Sequence, residues 1–280
     1  MIDNDGRIIS INNGFEKMFG YANDEVKSRL NREMIVPKDR VNEVLTINQT
    51  VLKGDTIHKE TVRKHKNGRM IPVFMMGYPI HIDGKIDGIF YIYNDISERK
   101  AFEDQLYQKA FYDSLTGLPN RALFMERLNH AIERRKRRKN YQYALLLFDL
   151  DRFKRVNDSL GHHVGDALLK QMTERFQDCI RSVDTVARLG GDEFALIVEE
   201  FFKFKDVIQI ARRIRDLAQQ PVFIENNEIY ISASIGIVLN VENYVNSEDI
   251  LRDADIAMYR AKDSGKACFK VFNKKMHAQA

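Results

Sequence analysis

Cysteine is nearly absent: Cys179 and Cys268 are the only two in 280 residues, and they lie in unrelated contexts. A disulfide framework and a cysteine-rich zinc site are excluded, and the usage fits a reducing cytoplasm. Long hydrophobic runs are missing too. The longest unbroken apolar stretch covers residues 143–148, whereas a membrane-spanning helix needs ~20 such residues. The N-terminus has no basic-then-apolar signal peptide. Nor does charge of one sign dominate. The 44 basic and 40 acidic residues give a net +4, with 16 and 14 in residues 1–100 and 28 and 26 in the remainder. That balance creates no demand for nucleic acid or anionic lipid as partner. The single local excess, residues 134–139, reads as a solvated helix end. What is present is 44% apolar residues, enough for two cores, in a length that suits about two domains of ~150 residues.

Residues 1–95 read as short strands around short helices, an α+β pattern. Asp5-Gly6 precedes a strand over 7–11. Asn67-Gly68 predicts a hairpin joining 57–64 to 69–80, with Pro72 placing the start of that second strand near an edge or bulge. A further apolar strand covers 89–93. Residues 96–111 lack Gly and Pro and predict a helix with Ser97 as N-cap. Its apolar residues Phe102, Leu106 and Ala110 fall at four-residue steps, either as a connector packing on its own domain or as a short coiled coil between two copies. From 113 onward, helices and strands alternate. Helices are expected over 119–139 (with Pro119 in the first turn), 164–180, 206–219 and 247–264, and strands over 143–150, 185–189, 194–198, 222–224, 229–239 and 269–272.

The chemistry concentrates where the apolar strand 143–150 stops in Asp149-Leu150-Asp151-Arg152-Phe153-Lys154. A carboxylate at the end of a buried strand is costly without a partner. A second such place is Gly190-Gly191-Asp192-Glu193-Phe194, where two glycines permit a tight turn that delivers two acids before a core strand. If the two strands are neighbours, Asp149 and Asp192 converge as hard oxygen ligands of the kind Mg²⁺ takes alongside substrate phosphates. The alternative is separate, solvated turn acids. Residues 157–166 read as a polar, glycine-punctuated loop leading into a helix. Its Asn157 and Asp166 have the acceptors to read guanine, or serve turn and capping roles. Lys154, Lys262 and Lys266 lie near element ends where phosphate would sit, or simply solvate the surface. His162 and His163 have no Cys/His company that would indicate a metal.

These motifs together resemble the GGDEF-family diguanylate cyclases. The carriers are Gly190-Gly191-Asp192-Glu193-Phe194, Asp113-Ser114-Leu115-Thr116-Gly117-Leu118-Pro119-Asn120-Arg121, the run from Asp149 to Asp158, Gly161-His162 with Gly165-Asp166, Ser234-Ile235-Gly236, and Asp255-Ile256-Ala257-Met258-Tyr259-Arg260-Ala261-Lys262. The resemblance implies a nucleotidyl cyclase (ferredoxin-like palm) sheet flanked by helices over 112–280. It also implies condensation of two GTP into cyclic di-GMP and two pyrophosphates. Asp149, Asp192 and the Leu150 carbonyl would bind Mg²⁺, with Mn²⁺ as an alternative. Glu193 would be a second-metal ligand or help deprotonate the 3′-hydroxyl. Asn157 and Asp166 would read guanine, and Lys154, Lys262, Lys266 and backbone N–H groups near Phe153 would hold phosphates. Since one half-site holds one GTP, the active unit would be a homodimer. Arg181-Ser182-Val183-Asp184 resembles the family's RxxD inhibitory site, implying that Arg181 and Asp184 bind cyclic di-GMP as product inhibitor; a surface ion pair is the alternative.

Residues 2–100 resemble a PAS sensor domain, its body over 1–95, through Asp5-Gly6-Arg7-Ile8-Ile9, Phe19-Gly20-Tyr21, Asn67-Gly68-Arg69 and the exit Asn94-Asp95-Ile96-Ser97-Glu98-Arg99-Lys100. Its first strand reads as clipped at Met1, and 96–111 as a helical signalling linker. Its ligand is undetermined: the domain has no cysteine for a flavin adduct, and residues 38–53 have no histidine for haem. The expectation is thus a two-domain protein, α+β then α/β: a cytoplasmic, sensor-regulated diguanylate cyclase with no membrane segment, no nucleic-acid partner and no phosphodiesterase segment after the cyclase domain. The competing readings are a catalytically silent cyclic di-GMP receptor and a nucleic-acid binder using 134–139.

Overall fold

In the computed structural model, which describes residues 1–239, 241 and 244–279, the chain divides into two compact units, Met1–Leu106 and Tyr107–Ala280. Among the described residues no helix is long and apolar enough to cross a membrane.

The first unit opens with α1 (Asn13–Phe19), α2 (Asn23–Val26), α3 (Asn31–Met34) and α4 (Val41–Val51), then forms an antiparallel sheet in the order β1 (Ile57–Lys64), β2 (Met70–Ile82), β3 (Lys85–Asp95). Period-two alternation sends Ile71, Val73 and Met75 of β2 inward, against Phe19, Ile35, Val44 and Val51 of the helical layer. The Asn67-Gly68 hairpin forms as expected, pairing Lys64 with Met70. Pro72 is accommodated on a central strand because β3 pairing ends one residue away, at Val73–Asp95; the Pro72 carbonyl there accepts from Ile96 N at 3.0 Å. The strand expected over 7–11 does not form. Asp3 Oδ1 captures the Arg7 amide at 2.7 Å, leaving only isolated bridges from Arg7 to Leu30 and from Ile8 to Ile2.

Helix α5 spans Ser97–Phe111. Its first turn is capped by Asp95, whose Oδ1 accepts from Ser97 N at 2.8 Å, rather than by the Ser97 side chain. It buries no residue, and Phe102 (61% exposed) and Leu106 (51%) stand open to solvent within the single chain.

The second unit runs α6 (Arg121–Arg137), β4 (Tyr143–Asp151), α7 (Phe153–Leu160), α8 (His162–Gln177), β5 (Thr185–Gly190), β6 (Glu193–Glu199), α9 (Phe204–Ala218), β7 (Val222–Ile224), β8 (Asn227–Ile229), β9 (Ser232–Val238), α10 (Ser247–Asp263) and β10 (Phe269–Val271). Five strands make one mixed sheet, β10-β9-β4-β6-β5, in which only β10 and β9 are parallel. All nine residues of central β4 are buried. Ala144, Leu146, Phe148 and Leu150 point to a core shared with α8 and α9 (Leu168, Met172, Phe176, Ile214). Tyr143, Leu145 and Leu147 point to the opposite core, shared with α6 and α10 (Phe124, Leu128, Ile250, Ala254). Helices on both faces explain why the strand reads as a continuous apolar run.

Three expectations change. Pro119 precedes α6 instead of opening it: Asn120 is the N-cap, accepting from Leu123 N, and the Pro119 carbonyl accepts from Arg188 N on β5. The loop expected from Asn157 is helix through Leu160, with Asp158 and Ser159 exposed while Asn157 turns toward Gly165, and the break falls at Gly161, φ 87°. The single strand expected over 229–239 is split, because β8 belongs to a two-stranded ribbon with β7 while β9 enters the main sheet.

Candidate active site

Strand pairing brings the two acidic segments together. In the antiparallel register of β4 and β6, Asp149 stands opposite Glu193, and Leu150 N donates to Asp192 O at 3.2 Å. Gly190 (φ 150°) and Gly191 (φ 53°) form the turn, a backbone that side-chain-bearing residues rarely adopt. Arg188 clips this turn: its Nε and Nη2 donate to Gly191 O at 2.9 and 2.7 Å, and its Nη1 to Asp113 Oδ1 at 2.9 Å. Both clip residues stand in motifs read from the sequence, but their contact is not legible there, because an Arg two positions before a Gly-Gly pair carries no signal of the distant Asp113.

A cavity of about 200 Å³ is lined by Asp149, Leu150, Asp151, Arg152, Phe153, Lys154, Asp192, Lys262 and Lys266. Asp149 is 9% exposed and pairs with Lys262 Nζ at 3.0 Å. Burial pushes its carboxyl up to about 6; Lys262 opposes that, and the negative charges of Asp192 and Glu193 add to it. Among the described residues no three acidic, His or Cys side chains are already gathered in a metal-ligating cluster. The expected oxygen donors that line this cavity are Asp149, Asp192 and Leu150; Glu193 sits opposite Asp149 but outside the lining.

Asn157 of α7 packs against the start of α8, at Gly165. The Asn157 side chain lies against Gly165, where an added Cβ would fall 1.8 Å from Oδ1, and that Oδ1 is buried without a hydrogen-bond partner. Asp166, the next residue, is exposed.

The RxxD segment lies apart from this cavity in the turn between α8 and β5. Asp184 makes no ion pair with Arg181 among the described residues. Its oxygens accept from backbone instead, Oδ2 from Arg181 N at 3.0 Å and Oδ1 from Glu199 N at 3.1 Å. Arg181 is exposed and, with Asp184, lines a cavity of about 530 Å³ that also takes in Arg212 and Arg213 of α9.

A helix-flanked mixed sheet ending in apposed carboxylates beside three lysines, preceded by a helix-covered antiparallel sheet, defines a two-domain protein with a PAS unit first and a nucleotide-cyclase-type unit second. The family described as "Diguanylate cyclase, GGDEF domain" matches residues 110–268, and the PAS fold matches residues 1–101. The chain belongs to the GGDEF family. It is 43% identical over 176 residues to the bifunctional diguanylate cyclase/cyclic di-GMP phosphodiesterase MucR of Pseudomonas aeruginosa, covering 63% of this chain and 25% of MucR. It is 29% identical over 270 residues to the signaling protein YkoW of Bacillus subtilis, covering 96% of this chain and 33% of YkoW. The solved GGDEF domain of TpbB from Pseudomonas aeruginosa superposes with a TM-score of 0.57 at 37% identity, covering 60% of this chain and 98% of that one. The chain spans about a quarter to a third of the two curated relatives' length.

Proposed function

We propose that this chain is a diguanylate cyclase that joins two GTP into cyclic di-GMP, under control of its PAS unit. The observation that carries the reading is the meeting of Asp149 and Asp192 with Lys154, Lys262 and Lys266 around one cavity. Two carboxylates and the Leu150 carbonyl are hard oxygen donors suited to Mg²⁺ or Mn²⁺. A raised Asp149 carboxyl beside two further acids is the electrostatic imbalance that a divalent cation relieves. Such an ion, when bound, supplies charge neutralisation on the phosphates.

The residues of the chain do the rest. Lys154, Lys262 and Lys266 neutralise phosphate oxygens as point charges. Asn157, whose buried Oδ1 lacks a partner, and Asp166 present acceptors to the N1 and N2 donors of guanine. The 3′-oxygen of one GTP bonds to the α-phosphorus of the other, the bond to pyrophosphate breaks, and Glu193 assists removal of the hydroxyl proton. Because one set of these residues holds one GTP, two chains face each other, and positioning supplies much of the rate. Arg181 and the cavity beside it take the product as inhibitor, with Asp184 shaping the turn.

Purified protein incubated with GTP and Mg²⁺ tests this by chromatography of the nucleotides. Cyclic di-GMP and pyrophosphate are expected in a 1:2 ratio, and Asp192→Asn is expected to abolish both. Wild type that binds cyclic di-GMP but makes none would overturn the enzyme in favour of a receptor.

A further inference from the structure

Asp151 lines the nucleotide cavity, yet the cyclase reading gives it no task. It is 4% exposed and meets only neutral donors among the described residues: Ser232 Oγ at 2.6 Å and Ala267 N at 3.1 Å on Oδ2, and Ser234 Oγ at 2.7 Å on Oδ1. The two serines belong to β9, the strand paired directly beside β4. The third donor comes from the segment that returns from α10 to β10, and that segment is strained. Lys266 (φ 66°) and Ala267 (φ 49°) are consecutive non-glycine residues in the left-handed region, a conformation that single residues seldom hold without outside support. Lys266 N donates to Ala261 O at 3.2 Å, and Cys268 O accepts from Ile235 N at 3.0 Å. Between those two anchors, the Asp151 carboxylate is the group that fixes the amide directly after Lys266. Lys266 in turn lines the same cavity as Asp149 and Lys262.

We infer that Asp151 is a positioning residue: by accepting the Ala267 amide it holds the left-handed turn that keeps the Lys266 ammonium on the nucleotide phosphates. The inference rests on the cyclase reading for the identity of the nucleotide. Were Asp151 merely satisfying the two β9 hydroxyls, its loss would not depend on Lys266.

The test is a double-mutant cycle read as the dissociation constant of a non-hydrolysable GTP analogue with Mg²⁺, together with amide hydrogen exchange at Ala267. Asp151→Ala removes the acceptor. It is expected to speed exchange at Ala267 and to weaken analogue binding about tenfold, the loss of one charge-assisted contact. Asp151→Asn keeps an oxygen for Ala267 when its NH₂ faces Ser234, so binding within about twofold of wild type is expected. In a Lys266→Ala background, Asp151→Ala should cost less than about twofold. Should Asp151→Ala not fold, Asp151→Ser, whose side chain is one bond shorter and lacks both carboxylate oxygens, takes its place with the same expectation. A tenfold loss in both backgrounds, or unchanged affinity with a freely exchanging Ala267 amide, overturns the inference and leaves the cyclase reading standing. A wild type that does not bind the analogue overturns both.

Discussion

Asp149→Asn should make the protein inactive and more stable at once. The carboxyl is held near 6 by burial and by Asp192 and Glu193, net of the Lys262 attraction. An acid whose folded value lies above its unfolded value, near 4, binds its proton more tightly when folded. Its contribution therefore falls as pH rises from about 4 to about 6 and stays unfavourable above that. Two pH units correspond to at most ~3 kcal/mol, and screening at a site open to solvent reduces this to ~1–2 kcal/mol. Asparagine carries no such penalty. Without divalent ions at pH 7.5, the variant should melt roughly 2–6 °C above wild type, and the gap should close near pH 4. Added Mg²⁺ should raise the melting temperature of wild type but not of the variant, because an ion that binds only the folded state stabilises by mass action. Calorimetry at the two pH values, with and without Mg²⁺, measures all of this. A variant no more stable than wild type at pH 7.5, or a gap that ignores pH, would refute the electrostatic account.

Other outcomes are equally specific. Arg181→Ala should weaken cyclic di-GMP binding in calorimetry and relieve product inhibition while initial rates survive; equal product affinity in both proteins would remove the inhibitory site. Gly236→Ala should destabilise the second unit by about 3 kcal/mol or more in denaturant titration. A Cβ there would lie 2.0 Å from Ala254 O and 2.4 Å from Met258 N, backbone atoms of α10 that cannot step aside. Deleting two residues within 103–109 of α5 should cut the initial rate, since each residue turns the helix by about 100°. Deleting four, residues 107–110, should largely preserve it, since four residues make nearly one full turn and leave the exposed Phe102 and Leu106 in place. A flat profile with deletion length would make the helix a passive tether.

The parts that sequence reading captured are those with local or periodic causes. The buried strand of residues 143–150, the Asn67-Gly68 hairpin and the acids of the Gly190-Gly191 turn each announce themselves within a few residues. The meeting of Asp149 with the turn needed only the assumption that two apolar strands are neighbours. What stayed hidden depends on distant partners. Asp3 taking the Arg7 amide removes a strand that its composition favours, and Pro119 is drawn away from α6 by Arg188. Arg188 reaching Asp113, and Asp151 reaching Ala267, join positions 75 and 116 residues apart. The RxxD segment was legible as a motif, but not the fact that Asp184 spends both oxygens on backbone amides.

The alternation along β4 makes parity a functional constraint. Asp149 and Asp151 share the odd-numbered side with α10, which supplies Lys262, while Leu150 shares the even-numbered side with the α8 core. Inserting one residue anywhere between Tyr143 and Phe148 would exchange the two sides downstream. Both carboxylates would then enter the core around Phe176, and a leucine would face the lysines. Inserting two would restore the sides and shift only the length. The length of this strand is therefore free to vary only in steps of two, and the carboxylates at its end are tied to the packing along its whole length.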